Sequence, residues 1–89
     1  MRVSVRIKPQ DNDKQARIAC DINDRIINEG ISSHKDGWII RWPKGPSHRD
    51  CDLGQVIVSR DEVVIVNMGP EKERQIIAYL FSQDLQTFE

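Results

Sequence analysis

Gln55-Val56-Ile57-Val58-Ser59-Arg60-Asp61-Glu62-Val63-Val64-Ile65-Val66-Asn67 is the stretch that decides the fold. Two β-branched runs flank a polar turn centred on Arg60-Asp61, which is the pattern of a β-hairpin. The turn lacks Asn-Gly chemistry, so the pattern leaves the register open. Both Val56–Val58 and Val63–Val66 are apolar at consecutive positions. Alternate residues point to opposite faces, so these strands are expected to be buried on both sides.

Upstream, Gly37 to Trp42 reads as a strand with Trp38, Ile40 and Trp42 on one face and Ile39 and Arg41 on the other. Residues 43–53, Pro-Lys-Gly-Pro-Ser-His-Arg-Asp-Cys-Asp-Leu, read as a loop that is long for so small a domain. Loops of that length tend to carry function or to move. Downstream, Gly69-Pro70-Glu71 opens a helix. Proline suits its first position, and Glu71 and Glu73 suit the positive end of its dipole. Ile77, Leu80, Phe81, Leu85 and Phe88 form its expected apolar stripe.

At the start of the chain, Val3, Val5 and Ile7 alternate with Arg2, Ser4, Arg6 and Lys8, which predicts a strand with one buried face. Pro9 ends it, and Gln10-Asp11-Asn12-Asp13 offers a turn and an N-cap. From Lys14 to Glu29 the period becomes helical, with Ile18, Ile22 and Ile26 four residues apart and Gly30 placed as a left-handed cap. A second strand through Ala16, Ile18, Cys20 and Ile22 is the competing reading. The helix is preferred because the period and the Gly30 stop agree.

The expected order is therefore β-α-β-β-β-α. It describes a single α+β domain over residues 1–89, with a three- to four-stranded, mostly antiparallel sheet packed by two helices. A helix between the first two strands suggests a crossover that makes that one pair parallel. Two helices cover only one face of such a sheet. The other face, or an edge, is expected to meet a loop, a second copy or a partner.

The totals narrow the function classes. With 89 residues there is room for one core and one site. Thirteen Lys and Arg against fourteen Asp and Glu give no general argument for nucleic acid or membrane. No run of 18 apolar residues is present to span a bilayer, and the alternating N-terminus has no signal-peptide character. Cys20 and Cys51 fit no disulfide or Cys-x-x-Cys framework, which predicts reduced thiols and a cytoplasmic setting.

Candidate sites concentrate between His34 and Arg49. Trp38, Arg41, Trp42, Lys44, His48 and Arg49 combine cations with flat rings, which is what single-stranded nucleic acid requires for its phosphates and bases. Arg2, Arg6 and Lys8 extend that patch if the two strands are neighbours. Against this, tryptophan in so small a domain is ordinarily core. The Lys44-Gly45-Pro46-Ser47 run is not a phosphate-binding loop, because no G-x-x-x-x-G-K-[ST] motif leads into a helix. His48 and Cys51 form one ligand pair where structural zinc takes two, so no metal or other cofactor is expected. Cys51 has His48 and Asp50 nearby only in sequence, which is not how a nucleophile and its base meet. Asp21 and Arg25, four apart on the first helix, read as a surface ion pair.

Gly37-Trp38-Ile39-Ile40-Arg41 followed by Lys44-Gly45-Pro46-Ser47-His48 resembles the G-W-x-x-x-R…K-G-S-H core of HicA-type mRNA-interferase toxins. The resemblance implies an α-β-β-β-α fold and RNA cleavage, with His48 at the catalytic position. It covers about a dozen residues. Pro46 interrupts the Gly-Ser-His run, and a strand precedes the first helix. Apart from that resemblance, no constellation supplies nucleophile, base and oxyanion donor together. The expected mode of action is therefore binding, first of a protein partner or a second copy as a homodimer. Single-stranded nucleic acid or RNA is the alternative, and a His48-dependent ribonuclease the third reading.

Overall fold

The computed structural model describes residues 2–28, 31–34, 37–42 and 54–87, the side chains of Ser32, His34 and Trp42 excepted. The fold is α+β. Its elements are β1 (Arg2–Arg6), α1 (Asn12–Ile22) continued by a π-helical turn (Asn23–Ile27), β2 (Ile31–His34), β3 (Gly37–Trp42), β4 (Gly54–Ser59), β5 (Glu62–Val66) and α2 (Pro70–Ser82). The strands form one antiparallel sheet in the order β1-β5-β4-β3-β2.

The hairpin that decides the fold is present. Val58 pairs with Val63, leaving Ser59 to Glu62 to turn the chain. The parallel pair suggested for the first two strands is not. β1 lies against β5, Val3 opposite Ile65 and Val5 opposite Val63, at the far side of the sheet from β3. The physical reason is that α1 returns to β2, which turns directly into β3, so β1 is left to pair with the free side of the hairpin. β2 itself is an addition to the expected order, Ile31 facing Ile40 and Ser33 facing Trp38.

Register sorts the side chains into two faces. Val3, Val5, Val63, Ile65, Val56, Val58, Ile40, Trp38 and Ile31 fall on one of them and join a single apolar cluster with Ile18, Ala19, Ile22 and Ile27 of the first helix and Ile76, Tyr79 and Leu80 of α2. Both helices therefore lie on the same side. Each fully buried aliphatic side chain there contributes about 1.5–3 kcal/mol by leaving water.

Asp11 caps α1, its carboxylate accepting from the Lys14 N–H at 2.8 Å. The helix closes earlier than expected. Its last turn is π-helical, and Asn28, at φ 57°, supplies the left-handed residue in place of Gly30, which lies outside the described residues. Cys20 is exposed, because Ile18, Ala19 and Ile22 take the inward positions. α2 starts as expected at Gly69-Pro70, but its buried stripe is Ile76, Tyr79 and Leu80. The expected stripe relied on Leu85 and Phe88 as helical residues. The helix ends at Ser82, so the ladder through Leu80 runs back to Ile76, and Phe81 is left 53% exposed. Phe88 lies outside the described residues.

Beyond α2 the chain runs alongside β1. The Lys8 N–H donates to the Leu85 carbonyl at 2.8 Å and the Thr87 N–H to the Arg6 carbonyl at 3.2 Å, with Ile7 bridged to Gln86. That segment covers part of the β1 edge.

Candidate functional site

The second face of the sheet carries no described helix. Its side chains follow from the same registers. Ile39 of β3, Ile57 of β4 and Val64 of β5 stand side by side in one transverse row, with Ser4 of β1 at its end. The neighbouring row reads Arg41, Gln55, Val66, Arg2. Next to Ser4 on the other side is Arg6, opposite Glu62.

Ile39 and Val64 are buried, yet neither belongs to the cluster beneath the helices. Ile57 and Val66 are half-buried, while Arg2, Ser4, Arg6 and Arg41 are exposed. The result is an aliphatic band crossing three strands with an arginine at each end of the adjoining row. Arg2 and Arg41 are three strand spacings apart, or about 14 Å. The described charged residues on this face are three arginines and one glutamate, and the Ser4 hydroxyl donates to that Glu62 carboxylate at 2.6 Å.

Gly37 opens β3 where it meets β4. A Cβ built there lies 1.9 Å from the Val58 carbonyl oxygen. The glycine of the Gly-Trp pair is thus required by a close approach of two strand backbones, whatever else that pair does.

The expected site residues separate in space. Trp38 is half-buried and packs against the helix-side core, whereas Arg41 is exposed on the opposite face. The Trp42 backbone pairs with Gly54. Lys44, His48 and Arg49, with the loop that carries them, lie outside the described residues, as do Cys51 and Asp52. The three cations of the first strand do not adjoin Arg41, since β5 and β4 stand between them. Arg2 nevertheless shares a row with it, and Lys8 turns instead to Asp84 at 3.3 Å.

On the helix side, Asp21 and Arg25 do not form the expected pair with each other. The Tyr79 hydroxyl donates to the Asp21 carboxylate at 2.7 Å, and the Arg25 guanidinium sits 5.8 Å from the centre of the Tyr79 ring. Burial raises the Tyr79 pKa well above its ordinary value of 10.0. The Asp21 hydrogen bond and charge raise it further, against smaller lowering by Arg25 and Arg17. A few residues away, Lys72 donates to the Ile26 carbonyl at 3.2 Å, so α2 satisfies a carbonyl in the π-helical turn. These contacts join the two helices.

An open cleft of about 390 Å³ lies at the start of α1, lined by Pro9, Gln10, Asp11, Asn12, Gln15 and Arg60. Its polar groups already serve the fold. Asp11 caps the helix, the Gln15 amide donates to the Gln10 carbonyl at 3.0 Å, and the Gln10 N–H donates to the Arg60 carbonyl at 2.9 Å. Among the described residues, no group of three or more His, Cys, Asp or Glu is placed to hold a metal ion. No helix of the described residues is long and apolar enough to cross a membrane.

The expectation that two helices cover one face of the sheet matches the described helices, but the membership of the second face was not anticipated. The alternation of β3 already set Ile39 and Arg41 apart from Trp38, Ile40 and Trp42, but no pattern assigned Ile57 to the same face. The pairing of Arg2 with Arg41 across the sheet was not legible, because it depends on β1 joining β5. No protein-family model, curated protein or solved structure matches the chain.

Proposed function

We propose that this domain works by binding another protein through the helix-free face of its sheet. The observation that supports this is the row Ile39, Ile57 and Val64. These aliphatic residues stand outside the helix-side core, with half-buried Val66 beside them. An aliphatic band rimmed by charge fits a protein surface better than a small substrate, since it offers contact area without an enclosing pocket. The reading takes the domain as cytoplasmic, where exposed Cys20 stays a thiol.

A second reading, single-stranded nucleic acid, draws support from Arg2, Arg6 and Arg41 on the same face. It is the weaker of the two. Bases need a ring to stack on, and Trp38 packs on the other side of the sheet.

The test uses the purified chain, Ile57→Asp on the helix-free face and Arg74→Glu on the exposed side of α2, each checked for folding by circular dichroism. A host protein is identified by affinity capture and then purified and bound directly. The expected result is that Ile57→Asp loses that binding and Arg74→Glu keeps it. Sedimentation equilibrium on the same three proteins reads self-association. A dimer lost in Ile57→Asp makes the partner a second copy. Equal binding by wild type and Ile57→Asp, with all three proteins monomeric, overturns the proposal.

A further inference from the structure

Resting on that reading of the face, we infer that its occupant is an acidic amphipathic helix, with an aliphatic stripe that lies along the Ile39–Ile57–Val64 row and carboxylates that reach Arg41 at one end and Arg2 at the other. Three observations converge on this chemistry.

The first is charge segregation. The whole chain carries thirteen basic against fourteen acidic residues, yet the described charged residues of this face are Arg2, Arg6, Arg41 and Glu62. Among the described residues, a near-neutral protein has placed a positive surplus on the face that no described helix covers. Glu62, which accepts from Ser4 and stands opposite Arg6, offsets one of the three arginines, and Arg2 and Arg41 carry the surplus. A second copy of the chain sets this surplus against itself, and like charges at an interface oppose association. An acidic partner does not meet that repulsion.

The second is the order of residue types. The arginines stand at the ends of a row whose middle is Gln55 and half-buried Val66, directly beside the aliphatic row. Aliphatic centre and cationic ends call for the reverse arrangement in the partner, apolar in the middle and acidic at both ends. Among the described residues this face carries no aromatic ring, so an oligonucleotide finds phosphate contacts there but no stacking platform.

The third is dimension. Arg2 and Arg41 are about 14 Å apart across the strands, which a helix rising 1.5 Å per residue covers in about nine residues. A helix also suits the surface, because the opposite face of this sheet is packed by helices over the same strand spacing.

Anisotropy of labelled synthetic peptides tests the inference. Two peptides of about 16 residues share one leucine and alanine stripe. One carries glutamates about eleven residues apart flanking it, three helical turns that return both to the side of the stripe, and the other lysines at the same places. The expected result, at low salt, is binding of the glutamate peptide at least tenfold tighter than the lysine peptide. That preference is expected to fall about tenfold in the Arg2→Glu, Arg41→Glu double variant and in the gentler Arg2→Gln, Arg41→Gln pair. Equal binding of the two peptides, abolished in both by Ile57→Asp, overturns the acidic partner and leaves the face intact as a protein site. Glutamate-peptide binding that survives Ile57→Asp overturns the face itself. Binding of oligothymidine in preference to either peptide, or of neither peptide, overturns the helical acidic partner.

Discussion

Val56, Ile57 and Val58 are consecutive residues of one strand with different surroundings. Val56 and Val58 are fully buried in the cluster that both helices close, while Ile57 between them is half-buried on the face that no described helix covers. β-Branched chemistry is the same on both faces of β4. What differs is what the rest of the chain brings to each. The helix side receives Ile18, Ile22, Ile27, Ile76, Tyr79 and Leu80, which supply packing partners and exclude water. On the other side no described helix packs, and Ile39 and Val64 are buried while Ile57 is not. The helix-side cluster therefore holds most of the buried aliphatic residues, and half-buried Ile57 is expected to contribute less to stability than Val56 and Val58 beside it.

Truncation on the two sides of the sheet tests that division most strongly. Ile40→Ala removes a fully buried side chain from beneath the helices and is expected to cost about 3–4 kcal/mol. Ile57→Ala is expected to cost about 1 kcal/mol, because its side chain already meets water. Urea denaturation of both variants reads the difference. Equal losses break the comparison and make the second face core as well.

A smaller effect is expected at Gly37, where the division between faces does not apply. A methyl group there collides with the Val58 carbonyl oxygen, a backbone atom that cannot swing aside. Gly37→Ala is expected to cost about 2–3 kcal/mol through displacement of β3 from β4, read by the same denaturation. A neutral result shows that the two strands separate easily, and the face they share is then softer than the register implies.

Much of this architecture was legible in the sequence, for reasons that differ by element. The hairpin around Arg60-Asp61 and the alternation of β1 are local patterns, and both stand. Proline at the first position of α2 and the Asp11 cap are also local chemistry. β2 was illegible because Ser32-Ser33-His34 has no β-branched run and, of its described side chains, Ile31 alone joins the core. The stripe of α2 was misplaced by reading helix period past Ser82, where the chain has already turned back along β1. The arginine pairing of the candidate face is a matter of strand order, which no local pattern encodes. Trp38 and Arg41, close in sequence, were grouped by composition and are divided by the pleat.

Tyr79 sharpens the account of the helix side through pH. It is the only tyrosine in the chain, so absorbance of the phenolate reports it directly. Its folded pKa is raised by burial and by the Asp21 carboxylate. The protonated phenol is thus favoured in the folded state. That contribution is fully present below the unfolded value of 10.0 and is lost as the pH rises above it toward the folded value. Tyr79→Phe is expected to lower stability at neutral pH by about 1–2 kcal/mol, because it leaves the half-buried Asp21 without its donor. The variant is also expected to show a shallower alkaline loss of stability than the wild type. A phenol that titrates like free tyrosine in the folded protein means that the two helices are not held together at this point.

The smallest effect belongs to the edge of the sheet rather than to either face. Lys8 and Asp84 are 3.3 Å apart, but their side chains are 51% and 94% exposed, and water screens most of their attraction. Asp84 also occupies a left-handed conformation, at φ 54°, which asparagine tolerates equally well. Asp84→Asn therefore removes the charge and keeps the backbone preference, and its expected cost is under about 0.5 kcal/mol. Amide exchange at Lys8 gives the sharper reading. Its N–H is held by the Leu85 carbonyl, so it reports whether the segment after α2 stays on the β1 edge. Protection unchanged in Asp84→Asn assigns that hold to the backbone bonds and to Leu85 packing on the core. Loss of protection assigns it to the ion pair, and Arg2 and Arg6 then stand on a strand whose outer edge opens with salt.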